Sequence, residues 1–138
     1  MKSGLVLALL VVFIIPAQAD KIPAFTPEVK TAFHKILVAT DLDQKEHAFV
    51  VNGNGSITYS NGGFTSVQMQ VPSDAQMMVH THPRCEINVP SNTDIKNERG
   101  RPGIMVVLGY ARTPLESFRM IYVITPDGKV SLAGMMVR

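Results

Sequence analysis

The apolar residues between Thr26 and Thr40 recur with the period of an α-helix. Five of them follow the i, i+3, i+4, i+7, i+8 spacing that places side chains along one helix face. They are Val29, Ala32, Phe33, Ile36 and Leu37. The segment Thr26-Pro27-Glu28 provides a start, because threonine can cap a helix, proline suits its first position and glutamate suits the positive end of its dipole. The pattern predicts an amphipathic helix that ends near Thr40 and packs through one face.

After this helix, the apolar stretches are short and predict β-strands. The predicted strands span residues 48–51, 56–59, 64–71, 77–82, 104–110, 120–125 and 129–137. Asn52-Gly53-Asn54-Gly55 and Pro126-Asp127-Gly128 are turn sequences between neighbouring strands. Residues 83–103 are polar and rich in proline and asparagine, which predicts a long loop with a helical turn after Ser91. The expected fold class is α+β, with one N-terminal amphipathic helix packed on a mostly antiparallel sheet.

The first 19 residues have a different pattern, typical of a secretory signal peptide. Lys2 precedes an unbroken apolar run over residues 5–15, and the small-x-small sequence Ala17-Gln18-Ala19 follows Pro16. Cleavage is expected before Asp20, although an uncleaved anchor is the alternative. The apolar run is shorter than the roughly 20 residues that a membrane-spanning helix needs. We therefore expect a signal peptide at residues 1–19, a single domain at residues 20–138, and a periplasmic or secreted protein with no membrane span after cleavage.

Charge and cysteine content exclude some classes of function. Loss of the leader removes one of 13 basic residues and none of 11 acidic ones, so the formal net charge falls from +2 to +1. This near-neutral chain has no basic run interleaved with aromatic residues, and we expect no nucleic-acid partner. Cys85 is the single cysteine and cannot form an internal disulfide. It is either a buried apolar side chain or a free thiol.

Chemistry is concentrated in two short segments. In His80-Thr81-His82-Pro83, alternate residues of a strand point to the same side, so both imidazoles can approach one metal ion. A helical turn that starts at Ser91 would place Ser91 and Asp94 on one face. Two imidazoles and one carboxylate suit zinc and leave a fourth position open for water, as in catalytic sites. Alternatively, Ser91 is a helix cap and Asp94 a first-turn acid.

These segments resemble the JAMM motif of zinc metalloproteases, which are also called JAB or MPN-plus proteins. The family pattern is an upstream glutamate, HxH, seven residues and SxxD; here eight residues separate His82 from Ser91. Glu46 matches the upstream glutamate, since it follows the first helix and precedes the first strand of the domain, and Gly53 matches a common family glycine. Phe49 stands where many members have a second glycine. The order of helix and strands also matches over most of residues 20–138.

The resemblance implies a role for each matched residue. His80, His82 and Asp94 would bind Zn²⁺, Glu46 would be the general base, and Ser91 would donate a hydrogen bond to the oxyanion. The implied reaction is hydrolysis of a peptide or isopeptide bond. Outside the cytoplasm, the stem peptides of peptidoglycan offer such bonds, and so does a partner's protein.

Two other functions fit the sequence. One is a periplasmic copper carrier, because Met77 and Met78 precede His80 and Cys85 follows it, and soft sulfur ligands suit copper. Methionine in apolar strands is nevertheless ordinary core filling. The other is a catalytically inactive binding module of the same JAB fold.

Overall fold

The protein is described by a computed structural model that covers residues 11–13, 25–61, 69–83, 89–101, 103–112 and 117–137. Strands and two helices alternate along this part of the chain. In chain order the elements are β1 (Val11–Phe13), α1 (Pro27–Asp43), β2 (His47–Val51), β3 (Ile57–Asn61), β4 (Met77–Thr81), α2 (Asn92–Glu98), β5 (Ile104–Arg112), β6 (Ser117–Ile124) and β7 (Val130–Val137).

The strands form one sheet in the order β1-β7-β6-β5-β4-β2-β3. Every neighbouring pair is antiparallel except β4 and β5, which are parallel. A parallel pair needs a crossover connection, and here α2 lies within it. The predicted α+β class with a mostly antiparallel sheet is confirmed, while the parallel pair at the centre was not predicted.

Helix α1 forms where the apolar spacing predicts it. Thr26 caps its start by accepting the N–H of Val29 at 3.2 Å, and all five residues of the predicted apolar face are buried. The helix ends at Asp43, three residues beyond the predicted end, because Thr40 faces the sheet and continues the buried stripe. Gln44 then adopts φ 57° and donates its N–H to the Thr40 carbonyl at 2.8 Å.

The two faces of the sheet carry separate apolar clusters. Alternate strand residues such as Phe49, Val79 and Val106 pack beneath α1. The residues between them face the other way, where Met105 and Val107 pack with Ile95 of α2. The prediction of one packed helix is therefore incomplete, because the helical turn expected after Ser91 extends into a second helix that covers the opposite face.

Several strand bounds differ from the predicted ones. Strand β3 begins and ends later than expected, and β5 and β6 are longer, because each pairs with a neighbour beyond its apolar run. Of the strand predicted at 64–71, residues 64–68 lie outside the described part of the chain, and residues 69–71 are not in a strand. The Asn52–Gly55 turn is present, with Gly55 at φ 84°.

Three residues of the predicted leader form an edge strand. Val11–Phe13 pair with β7 in the register Val11↔Met136. The predicted cleavage position before Asp20 lies outside the described residues. Among the helices that the structure describes, none is long and apolar enough to cross a membrane.

Candidate metal centre

The two histidines of the HxH segment lie at the end of β4, in the middle of the sheet. His80 is the fourth residue of that strand, and the N–H of His82 continues the pairing by donating to the Leu108 carbonyl at 3.0 Å. Both side chains are about 3% exposed, and their Nε2 atoms are 3.3 Å apart. The prediction that the two imidazoles share one side of the strand is therefore confirmed.

Asp94 approaches the histidines from the first turn of α2. Its Oδ1 lies 3.2 Å from His80 Nε2, and its Oδ2 lies 3.4 Å from His82 Nε2. Asp94 is held there by Ser91, whose backbone N–H donates to Asp94 Oδ2 at 2.7 Å. The three predicted ligands, which come from two separate segments, thus meet at one point between β4 and α2.

The spacing of these atoms suits a tetrahedral metal ion. Zinc–nitrogen and zinc–oxygen bonds of about 2.0–2.1 Å at tetrahedral angles place two ligand atoms roughly 3.3–3.4 Å apart. The 3.3 Å between the Nε2 atoms of His80 and His82 agrees with two corners of such a site. Asp94 lies at a similar distance through a different oxygen for each imidazole, 3.2 Å to His80 and 3.4 Å to His82. In the described residues these three side chains form a group whose ligand atoms all lie within 4.8 Å of one another, so this group could hold a metal ion.

The electrostatics of the site favour an ionised Asp94. Burial alone would raise the pKa of its carboxyl group, but hydrogen bonds from His80 and His82, the charge of His80 and the N–H of Ser91 outweigh it and lower the pKa well below the ordinary value. An ionised carboxylate beside two imidazoles is a suitable cation ligand. His80 Nδ1 is buried and has no hydrogen-bond partner in the described chain, so no such bond fixes its tautomer.

Glu46, the predicted general base, is buried immediately before β2, with 5% of its surface exposed. In the antiparallel pairing of β2 with β4, Ala48 lies opposite His80. Glu46 precedes Ala48 by two residues, so continued strand alternation would direct its side chain to the face that carries both imidazoles. Glu46 is not part of the ligand group, so the geometry is that of a neighbour of the centre rather than a ligand.

Ser91 is the N-cap of α2. Its Oγ accepts the N–H of Asp94 at 3.1 Å, which with the bond in the reverse direction completes a capping box. The capping interpretation of Ser91 and Asp94 is therefore confirmed, and it coexists with the metal-ligand geometry of Asp94. The role of Ser91 as an oxyanion donor stays a prediction.

The sequence did not predict the residues that support the histidine strand from the α1 face of the sheet. Thr81 lies between the two histidines but faces α1, where its hydroxyl bonds to that of Thr40 and accepts the N–H of His47 at 3.0 Å. Arg119 of β6 donates to the His82 carbonyl at 2.9 Å. The one available signal for Arg119 was its position as a single charged residue inside an apolar strand. His47 lies on the α1 face, and its ring pairs with Asp43 of that helix at 2.9 Å.

A small cavity of about 80 Å³ lies at the C-terminal end of α2. Glu98, Arg101 and Met78 are among its lining residues. Glu98 is 1% exposed, and its Oε1 has no hydrogen-bond partner in the described chain. Burial raises the pKa of Glu98 to about 7, although the charge of Arg101 lowers it.

Of the sulfur-bearing residues that suggested copper, the two in the described part of the chain, Met77 and Met78, make other contacts. Met77 faces away from His80 and belongs to the core beneath α1, while Met78 Sδ accepts a hydrogen bond from Arg101 at 3.8 Å. Cys85 lies outside the described residues.

In comparisons with known proteins, no protein-family model, no curated protein and no solved structure matches the chain. The resemblance to JAMM proteases therefore stays a prediction that rests on the matched residues of the site.

Proposed function

We propose that the protein is a zinc-dependent hydrolase of peptide or isopeptide bonds, a JAMM-like metallopeptidase that acts outside the cytoplasm. The observation that carries this proposal is the convergence of His80, His82 and Asp94, whose ligand atoms lie within 4.8 Å of one another. Three protein ligands from two elements are typical of catalytic zinc, whereas structural zinc has four.

Each matched residue has a chemical role in the proposed reaction. Bound zinc would supply Lewis acidity, which polarises the scissile carbonyl and acidifies water. Glu46 would take the proton of the attacking water and return it to the departing amine, since it is buried and lies two residues before Ala48, the strand partner of His80. Ser91 Oγ accepts the Asp94 N–H with a lone pair, so its own hydroxyl proton remains available for the oxyanion.

The choice of substrate follows from the proposed location. A secretory leader would direct the chain to a compartment where peptidoglycan stem peptides present amide crosslinks that involve side-chain amines. We therefore propose a peptide or isopeptide of the cell wall as the substrate class, with a partner's protein as the second class to assay.

Metal content is the first test of this proposal. Residues 20–138 are purified and dialysed with zinc beside two variants, His82→Ala and the control His34→Ala. His34 is exposed on α1, so its loss controls for non-specific binding by histidine. We expect one zinc per chain in the parent and the control, and little in His82→Ala. A parent without zinc would overturn the proposal.

Catalysis is tested next on the zinc-loaded protein. Cleavage of peptides, isopeptides and peptidoglycan fragments is followed by mass spectrometry, with Glu46→Gln as the matched variant. We expect Glu46→Gln to keep its zinc and to lose about 10²–10⁴-fold in rate. Zinc-loaded parent that cleaves none of the three substrate classes would favour an inactive binding module.

A further inference from the structure

Arg119 is a charged residue inside the sheet. It belongs to β6, where Ile121 and Val123 at alternate positions pack beneath α1, so its side chain lies on that same face. Only 5% of the residue is exposed. A guanidinium group in such surroundings is costly unless it is paired and hydrogen-bonded.

The guanidinium group joins two elements that end at the candidate metal centre. Nη1 donates to the backbone carbonyl of His82 at 2.9 Å, and Nη2 donates to Asp41 Oδ1 at 2.6 Å. Asp41 lies in the last turn of α1, and His82 lies directly after β4. Both charged side chains are nearly buried, with 6% and 12% exposed.

The contact to His82 occurs where regular strand pairing ends. The His82 N–H still bonds to the Leu108 carbonyl at 3.0 Å, but the next residue, Pro83, has no N–H to donate. The carbonyl of His82 accepts a hydrogen bond from Arg119 of β6, whose side chain reaches across β5. Both backbone polar groups of His82 are thereby fixed, and with them the start of its side chain.

We propose that Arg119 is a positioning residue for the metal centre, which holds the main chain of His82 so that its imidazole meets His80 and Asp94. This inference rests on the proposed function, because it assigns Arg119 to the same metal site. Asp41 orients the guanidinium group. It accepts a hydrogen bond from Nη2, and because the group is planar this directs Nη1 at the His82 carbonyl.

The experiment must separate positioning from stability. Removing Arg119 alone takes the ion-pair partner from the nearly buried Asp41 carboxylate, so Arg119→Met is prone to unfold. The double variant Arg119→Met/Asp41→Leu removes both charges, and exchange of a buried ion pair for apolar residues of similar volume is often neutral for folding. Phe33→Leu is the matched control, because it weakens the core beneath α1, where the Phe33 ring packs on Phe25 and Phe49.

Three properties are measured on residues 20–138. They are the urea midpoint without metal, the zinc affinity by competition with a chromophoric chelator, and the visible spectrum of the cobalt-substituted protein. We expect the double variant to bind zinc about 10–100-fold more weakly, as typical for loss of a residue that orients a ligand, and to show an altered cobalt spectrum. Phe33→Leu lowers the urea midpoint but keeps the parental affinity and spectrum.

The outcomes distinguish this inference from the proposed function. A folded double variant with parental zinc affinity and cobalt spectrum would overturn the positioning role and leave the metal centre standing. A parent that binds no zinc would overturn both. Equal weakening in Phe33→Leu would show that affinity follows global stability and would also overturn the inference.

Discussion

Ser91 and Asp94 hydrogen-bond to each other in both directions at the start of α2. The Ser91 N–H donates to Asp94 Oδ2 at 2.7 Å, and the Asp94 N–H donates to Ser91 Oγ at 3.1 Å. The same carboxylate approaches both imidazoles of the candidate metal centre. The residue that begins the helix therefore also orients a ligand, so folding of α2 and assembly of the centre are coupled.

Substitutions of Ser91 can separate its capping role from its proposed catalytic role. Glycine is nearly as good an N-cap as serine, whereas alanine costs about 1 kcal/mol. We expect Ser91→Gly to retain the stability and zinc affinity of the parent and to lose about 10²–10³-fold in kcat, because the oxyanion donor is gone. Steady-state kinetics and urea unfolding on the same preparations measure both effects.

In the two companion variants of Ser91, we expect stability and turnover to change together or to stay together. Ser91→Thr keeps a hydroxyl group and a capping residue, so both stability and turnover should stay close to those of the parent. Ser91→Ala should lose stability as well as turnover. If Ser91→Gly hydrolyses substrate as fast as the parent, Ser91 has no part in the chemistry and acts on α2 alone.

The ligands of the centre could be predicted because their geometry is local to two segments. Alternation along a strand aligns His80 with His82, and a capped helical turn aligns Ser91 with Asp94. The prediction of α1 succeeded for a similar reason, since an amphipathic stripe and a Thr-Pro-Glu start act within a few residues of one another. Local periodicity thus identified the elements that carry the site.

The structural support of the centre could not be predicted in this way. Arg119 meets His82 across 37 residues and Asp41 across 78, and no spacing rule links such positions. The parallel pairing of β4 with β5 likewise depends on α2 crossing the sheet, which a polar loop sequence does not specify. Long-range packing decides these features, so they follow only from the folded chain.

Removal of metal should lower the thermal stability of the protein. At free zinc 100-fold above Kd, binding stabilises the native state by about 2.7 kcal/mol, which corresponds to roughly 10 °C in Tm for a domain of this size. A chelator should remove this increment in the parent but change little in His82→Ala. Differential scanning calorimetry with and without chelator measures the difference. If the Tm of the parent changes neither with added zinc nor with chelator, the prediction is wrong.

Glu98 should make the protein less stable as the pH rises. Burial raises the pKa of its carboxyl group from the ordinary 4.5 to about 7, so the native state binds this proton more tightly than the unfolded chain does. The stabilising contribution of the protonated form is complete below about pH 4.5, declines towards pH 7, and is lost above it. Glu98→Gln keeps the shape without the charge and should remove this dependence.

The expected difference between Glu98→Gln and its parent grows with pH. At pH 8 the free energy of unfolding of the variant should exceed that of the parent by about 1–2 kcal/mol. This is less than the full pKa shift of Glu98 implies, because the adjoining cavity is open to solvent. At pH 4 the two should unfold alike in urea. Arg101→Gln is the informative partner, since loss of its charge should raise the pKa of Glu98 further. A constant difference across this pH range would show that Glu98 does not titrate there.

Export should leave a chain that begins at Asp20 and a sheet that lacks β1. The strand Val11–Phe13 covers only three residues of β7, while β7 remains paired with β6 along its length. Because few contacts depend on β1, we expect residues 20–138 to unfold cooperatively on their own.

Expression of the full chain in a host with a secretory pathway, followed by N-terminal sequencing of the exported protein, checks the cleavage position. Ala19→Arg should block cleavage, because signal peptidase requires a small residue there. Full-length protein that stays uncleaved and membrane-bound would instead support the anchor, with β1 absent from the sheet because its residues lie in the bilayer.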